Sequence, residues 1–221
     1  KKFKDRECYI TIAVSKDYEE IAALSANASR EEVYFPLSVQ SIEWLVDQNP
    51  NGKGFVVIAK RNSDNAIVGH FVFYAKLMSH RKANSHATLT FLTYLCVNLY
   101  VAPKHRRHRI FRRMTSFGWE LLAKSSRFNL YTVPNPRSTP GFLKMGMARF
   151  GKVPFRLGIA LKRPRSTKLA QVELRGEFED KYLNTFLNVA PNQTEIWGKR
   201  NATLLNWRYK KRPDIKYNIW I

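Results

Sequence analysis

Apolar residues fall in short runs along this chain, and the runs switch between a period of two and a period near 3.6. Residues 10–14 are rich in β-branched side chains and read as a first strand. Ser15 or Asp17 can cap a helix to about Ser25, with Ile21 and Leu24 on one face. Ser38, after Pro36, caps a second helix that carries Ile42, Leu45 and Val46 inward. Asn49-Pro50-Asn51-Gly52 stops it. Residues 55–60 and 67–74 are strands joined by a hairpin turn at Asn62-Ser63-Asp64-Asn65. Residues 79–86 read as a polar loop.

Residues 91–101 form the longest strand candidate, apolar almost throughout, which predicts burial on both faces. Pro103 ends it, and a basic loop follows over 104–109. Ile110, Phe111, Met114, Phe117, Leu121 and Leu122 then recur at helical spacing, with Arg112, Arg113 and Glu120 on the other side. Residues 129–133 are a strand, Ser138 or Thr139 opens a short helix that Gly146 ends, and 153–161 return as a strand. The strand–helix–strand from 91 to 133 demands a parallel crossover, while the strands before it form a meander. This predicts an α/β fold with a mixed, mostly antiparallel sheet flanked by helices, over residues 1–165. Residues 166–221 are a small C-terminal extension, with a helix expected over 177–187 and an aromatic tail.

With 221 residues, the chain can bury one full core plus an appendage, and its 44% hydrophobic content argues against disorder. No apolar run approaches the roughly 20 residues of a membrane span. Cys8 and Cys96 lie in strand-like runs and read as reduced core residues. No secretory signal is expected from the charged residues 1–7, and a cytoplasmic protein is the expectation. The chain begins at Lys1 rather than Met, as an excerpt of a longer product would. The net charge of +21 is concentrated: residues 101–168 hold 17 basic side chains and one acid, Glu120. Such a segment attracts phosphates, whether of a nucleotide cofactor, a nucleic acid or an anionic membrane surface. No spacing of His, Cys, Asp or Glu suggests a zinc site, and no G-x-S-x-G or P-loop is present.

A strand, a basic loop and a helix start make an anion site, because the first helical N–H groups lack partners and the helix dipole is positive there. In Val101-Ala102-Pro103-Lys104-His105-Arg106-Arg107-His108-Arg109-Ile110-Phe111 the chain resembles the GNAT superfamily of acyl-CoA-dependent N-acyltransferases, whose Val-x-Pro element leads into an Arg/Gln-x-x-Gly-x-Gly/Ala loop. Asn135 to Gly146 is similar to the family's later Asn … Lys-x-Gly element. Trp44 with Asn49-Pro50-Asn51-Gly52, and Trp207-Arg208-Tyr209 near the end, resemble one GNAT subgroup, in which the Trp-Arg-Tyr element opens a second GNAT-like region. The other reading of that tail is an aromatic strand covering the sheet edge. Two loop positions depart from the family: Arg109 stands where the loop glycine is expected, and Phe111 where Gly or Ala is.

The resemblance implies acetyl-CoA or another acyl-CoA as co-substrate and no metal. It implies cofactor contacts from Leu99 and Val101 through their backbones, and from Arg106, Arg107, His108, Arg109, Ile110, Phe111 and Asn135. Neutral amine attack on a thioester needs a base and an acid. No carboxylate lies between Asp64 and Glu120, and the family's usual acidic Tyr is Phe142 here. Ser138 and Tyr94 are the alternative catalytic hydroxyls, and His70, His80 and His86 the alternative bases. A region this poor in acids disfavours a cationic acceptor and favours an anionic one, a small molecule or a charged tRNA. The rival expectation is a non-catalytic nucleic-acid-binding module on a GNAT-like fold, using the basic segment to track phosphates.

Overall fold

In a computed structural model, residues 7–31, 36–83, 87–124, 129–151, 174–181, 183, 195–217 and 219–220 are described. The strands are β1 (Cys8–Ile12), β2 (Phe55–Arg61), β3 (Ile67–Arg81), β4 (Thr88–Val101), β5 (Leu130–Thr132), β6 (Leu174–Arg175), β7 (Glu195–Gly198) and β8 (Ile219–Trp220). The helices are α1 (Tyr18–Glu31), α2 (Val39–Val46), α3 (Ile110–Ala123), α4 (Thr139–Lys144) and α5 (Ala202–Leu205). β1 to β4 form an antiparallel meander in chain order, and β5 joins β4 in parallel through α3. The α/β class and the mixed, mostly antiparallel sheet expected from the pattern are the ones observed.

Alternation along the strands divides the core in two. Val56, Ile58 and Val72 meet Ile21 of α1 and Ile42 and Trp44 of α2. Val57, Phe71, Phe73 and Cys96 meet Met114 of α3 and Phe142 of α4 on the opposite face. Gly118 brings α3 down onto the sheet, since a Cβ there would overlap the Phe73 ring. Cys8 and Cys96 are both buried and unbridged, and burial pushes their thiols up.

Several local expectations change: β1 lies at Cys8–Ile12 rather than 10–14, and β4, expected to be buried on both faces, is mostly half-buried or exposed. α1 continues past Ser25 to Glu31, because the Ser25 hydroxyl is buried and accepts the Leu37 N–H at 2.7 Å instead of ending the helix. β3 continues through Ser79, His80 and Arg81, which the sequence marks as a polar loop. There β3 pairs with β4 on one edge and β7 on the other, so a ladder rather than apolar content holds the strand. Trp207-Arg208-Tyr209 is helical, within a π-helical turn (Asn206–Lys210) that follows α5, and is not an edge strand. The strand expected over 153–161 and most of the helix expected over 177–187 lie outside the described residues.

The C-terminal segment is anchored by a reciprocal pair. Trp44 Nε1–H donates to the Trp207 carbonyl at 2.9 Å, and Trp207 Nε1–H donates to the Trp44 carbonyl at 3.1 Å. The two rings stack at 4.3 Å and 17°. Each hydrogen bond contributes about 1 kcal/mol, and the stack about 0.5–1.5 kcal/mol beyond its burial. Ser38, the α2 N-cap, and Ser41 both donate to the Asp214 carboxylate, a second tie to the same helix.

Replacing Gly118 by Ala is expected to lower the unfolding free energy by about 1–3 kcal/mol, the usual cost of overpacking a core. Urea denaturation of the variant and the parent checks this. An unchanged midpoint would mean that α3 does not press on Phe73.

Candidate functional site

Among the described residues β4 and β5 pair at Tyr94–Leu130, Leu95–Tyr131 and Cys96–Thr132. Beyond this the two strands part. A bulge in β4 follows at once: Val72 faces Val97 while His70 faces Tyr100, so two residues, Asn98 and Leu99, oppose the single residue Phe71. Asn98 takes up the extra residue with φ 52, a left-handed conformation that Asn tolerates better than most. Along this part of β4 the backbone groups alternate in direction. Ala102 N–H reaches the Val68 carbonyl on β3, so the groups of Val101 face the gap instead. The Val101 carbonyl accepts Arg106 Nε–H at 3.0 Å, and the same guanidinium lies 5.6 Å from the Tyr100 ring centroid. Arg106 therefore clips the loop onto the end of β4.

The loop runs through a 3-10 turn (Pro103–His105) into α3. Arg107 and Arg109 both have positive φ, 73 and 59. Arg109 thus keeps the backbone that a glycine would adopt freely, at a cost of about 1–2 kcal/mol for a residue with a Cβ. The first intrahelical bond is Arg113 N–H to the Arg109 carbonyl, so the N–H groups of Ile110, Phe111 and Arg112 precede the ladder. A cavity of about 340 Å³ lies here, lined by Val101, His105, Arg106, Arg107, Arg109 and the first turn of α3. His105 Nδ1 is buried without a hydrogen-bond partner among the described residues. His108 is exposed, 3.6 Å from Glu7.

Phe111 does not obstruct the loop. Its ring lies over Gly141, where a Cβ would overlap it, and meets Phe142 edge-on at 5.0 Å. A bulky residue at the start of α3 is therefore matched by a missing side chain in α4. Asn135 prepares that helix: its Oδ1 accepts Ser138 N–H at 2.9 Å and Ser138 Oγ–H at 3.0 Å, and its carbonyl accepts Thr139 N–H at 3.0 Å.

No protein-family model and no curated protein matches the sequence. Solved structures do. One is the tetramutant of the BH1408 protein from Bacillus halodurans, 15% identical, with a TM-score of 0.52 over 68% of this chain and 99% of that one. Another is a predicted acetyltransferase with acetyl-CoA from Clostridium acetobutylicum, 15% identical, with a TM-score of 0.50 over 72% of this chain and 99% of that one. The chain shares its fold with these structures, one of which is a predicted acetyltransferase.

Within this fold the residues expected at the site occupy distinct places. Leu99, Val101 and residues 106–111 gather at the end of the gap and the start of α3, while Asn135 and Ser138 sit at the start of α4. Tyr94 lies in the paired part of β4, on the α3 face, 6.0 Å from the Phe55 ring, and burial pushes its phenol up. His80 stands in the β3 ladder opposite Leu89 and Ile196, and His86 lies outside the described residues. His70 is fully buried beside Tyr100 and the Asn98 backbone, and burial pushes it down to about 4, so it is neutral at pH 7.

The sequence reading passed over the opposite face of the sheet. A second cavity, of about 250 Å³, lies there between α2, the β4 bulge and the C-terminal turn. Asn98 borders it, as do Tyr74, Arg208 and Arg212. Nearby, Lys76 sits 5.7 Å from the Tyr131 ring centroid. Its ammonium is held below the usual lysine range by burial first, then by Arg208 and Arg200. The only signal in the sequence was the basic-aromatic composition of residues 207–212.

Two outcomes follow. Arg109→Gly is expected to raise the unfolding free energy by about 1 kcal/mol by relieving the left-handed strain, or about 2–4 °C in Tm. A melting point lower than the parent's would contradict the strain. For His70 the folded value of about 4 lies below the ordinary 6.5. The unfolded chain therefore binds the extra proton first, and stability present above pH 6.5 is lost as pH falls toward 4. The full loss is about 3 kcal/mol. Urea unfolding at pH 7 and 4.5 should show this slope in the parent and a shallower one in His70→Gln.

Proposed function

We propose that this protein is an acyl-CoA-dependent N-acyltransferase that moves an acetyl or other acyl group to the amine of an anionic acceptor. One observation carries the reading. Arg109 holds a left-handed backbone at the position where the GNAT loop has glycine, so the loop keeps its shape although the residue differs. That loop stands where β4 leaves β5, between an open strand edge and a helix N-terminus.

The residues present suit a pyrophosphate. Ile110, Phe111 and Arg112 offer N–H groups ahead of the helical ladder. Arg107, Arg109 and Arg112 line the same cavity and add charge. The gap-facing backbone of β4 at Leu99 and Val101, whose Val101 carbonyl is held by Arg106, offers an edge that β5 does not pair to an amide-bearing chain, as a sheet edge does to a peptide. Acyl-CoA, when bound, supplies the activated thioester. Tyr94 and Ser138 are the hydroxyls we assign as proton donors to the departing thiolate. Neutral His70, at the bulge, holds β4 in its bent shape. The anionic acceptor is supported by the scarcity of carboxylates, none occurring between Asp64 and Glu120.

Isothermal titration with acetyl-CoA and longer acyl-CoAs tests the reading. Saturable binding at one site is expected, and Arg106→Ala should weaken it about ten-fold, the loss of one charged hydrogen bond. No binding of any acyl-CoA would overturn the enzymatic reading, and unchanged affinity in Arg106→Ala would move the site elsewhere. In turnover assays, Tyr94→Phe or Ser138→Ala should lower kcat with CoA affinity unchanged. Full kcat in both would remove them from the chemistry.

A further inference from the structure

The cavity on the α2 face is built by two parts of the chain more than 100 residues apart in sequence. Trp44 and Tyr74 belong to α2 and β3, and Val97 and Asn98 to the β4 bulge. Arg208 and Arg212 come from the C-terminal segment, held in place by the Trp44–Trp207 pair. The Arg212 guanidinium lies 5.7 Å from the Trp44 ring centroid, and its Nε is buried without a hydrogen-bond partner among the described residues. Among the described residues its polar contact is from Nη1–H to the Tyr217 hydroxyl, at 3.3 Å. Arg208 is exposed at the rim and makes no carboxylate ion pair among the described residues. One carboxylate, Asp214, also borders the cavity, but its oxygens accept from Ser38 and Ser41. Two guanidiniums thus border a cavity whose carboxylate is already engaged, and the buried Arg212 Nε–H lacks an acceptor that an anion could supply.

We propose that Arg208 and Arg212 form the anion anchor of the acceptor site, selecting small amines that carry a carboxylate or phosphate group. This rests on the acyltransferase reading and names the residues that give it specificity. The volume, about 250 Å³, equals about eight waters of liquid, which suits a small molecule rather than a folded partner. Trp44 and Tyr74 supply apolar walls, and the guanidiniums supply forked donors that match planar or tetrahedral oxyanions. Asn98 borders this cavity and lies on the stretch of β4 that turns away from β5. An amine on a molecule anchored by the arginines would therefore sit beside the gap. The field at this place is already felt by neighbouring groups: burial pushes the Tyr74 phenol up, while Arg208 and Arg212 pull it back.

The test uses the whole protein and two readouts. In the first, thiol release from acetyl-CoA is followed with the common L-amino acids, their carboxamides, O-phosphoethanolamine and spermidine. In the second, binding of the same compounds is measured without CoA by ligand-observed NMR. Anion-bearing amines are expected to bind and turn over, and carboxamides and spermidine to be at least ten-fold poorer. Arg208→Gln and Arg212→Gln should each cost about ten- to hundred-fold on the anionic compounds and leave the carboxamides unmoved. Preference for amino acids over O-phosphoethanolamine, or the reverse, identifies the anion. Arg208 is exposed, so Arg208→Gln remains informative even where Arg212→Gln unfolds, which a thermal melt reports. Equal losses on charged and neutral compounds, preference for spermidine, or no binding of any anionic amine would each overturn the proposal. Calorimetry with acetyl-CoA separates the two readings: CoA binding retained without anionic-amine binding overturns the anchor alone. Loss of CoA binding with anionic amines still bound overturns the acyltransferase reading and leaves the anchor standing.

Discussion

The extra residue in β4 is the constraint on which the rest of this structure depends. Two residues, Asn98 and Leu99, oppose one on β3, so β4 bends and its pairing with β5 stops after Cys96. A continuous parallel ladder would have consumed the backbone groups of 97–101 and sealed the sheet. Beyond Cys96 the alternate groups of β4 that point away from β3 face a gap, and Arg106 takes up the Val101 carbonyl at its end. Asn98 then borders the cavity on the other face. One left-handed residue therefore opens the cleft and shapes the wall that faces it. Fully buried His70 beside the bulge makes the bend part of the core rather than a surface irregularity.

The second organising contact is the Trp44–Trp207 pair. Its two hydrogen bonds each satisfy an indole N–H that would otherwise be buried without a partner, so burial of both rings carries no polar penalty. The pair makes the C-terminal turn a wall of the α2-side cavity. It also fixes where Arg208 and Arg212 stand, since both lie within five residues of Trp207. A segment outside the main sheet thus contributes charge to that cavity.

The loop between β4 and α3 shows how a departure from a motif can be absorbed. Arg109 accepts the left-handed backbone and its strain. Phe111 is accommodated because Gly141 in α4 leaves room for its ring. The two halves of that accommodation are thirty residues apart, so the motif read in one dimension looks broken where the packing is intact.

Much of the fold was legible from local signals. The β-branched runs, the Ser38 cap, the hairpin turn near Asn62 and the helical spacing from Ile110 to Leu122 each reflect interactions within a few residues, and these place their elements to within a few residues. The same holds for the anion site, because a strand, a basic loop and a helix start are contiguous in the chain. What depended on distant partners was not legible. Polar residues 79–81 stay in β3 because β4 pairs with them on one edge and β7, more than 100 residues later, on the other. Trp207 reads as part of an edge strand until its 163-residue-distant partner is known. Asn98 looks like an interruption in an apolar strand, and only pairing with β3 turns it into a bulge. The sequence by itself determined the α/β class, the element order and the basic loop, since these follow from periodicity and neighbours. Tertiary structure alone decided the gap, the α2-side cavity and the two arginines at its rim, because register and burial are set by partners that local patterning does not encode.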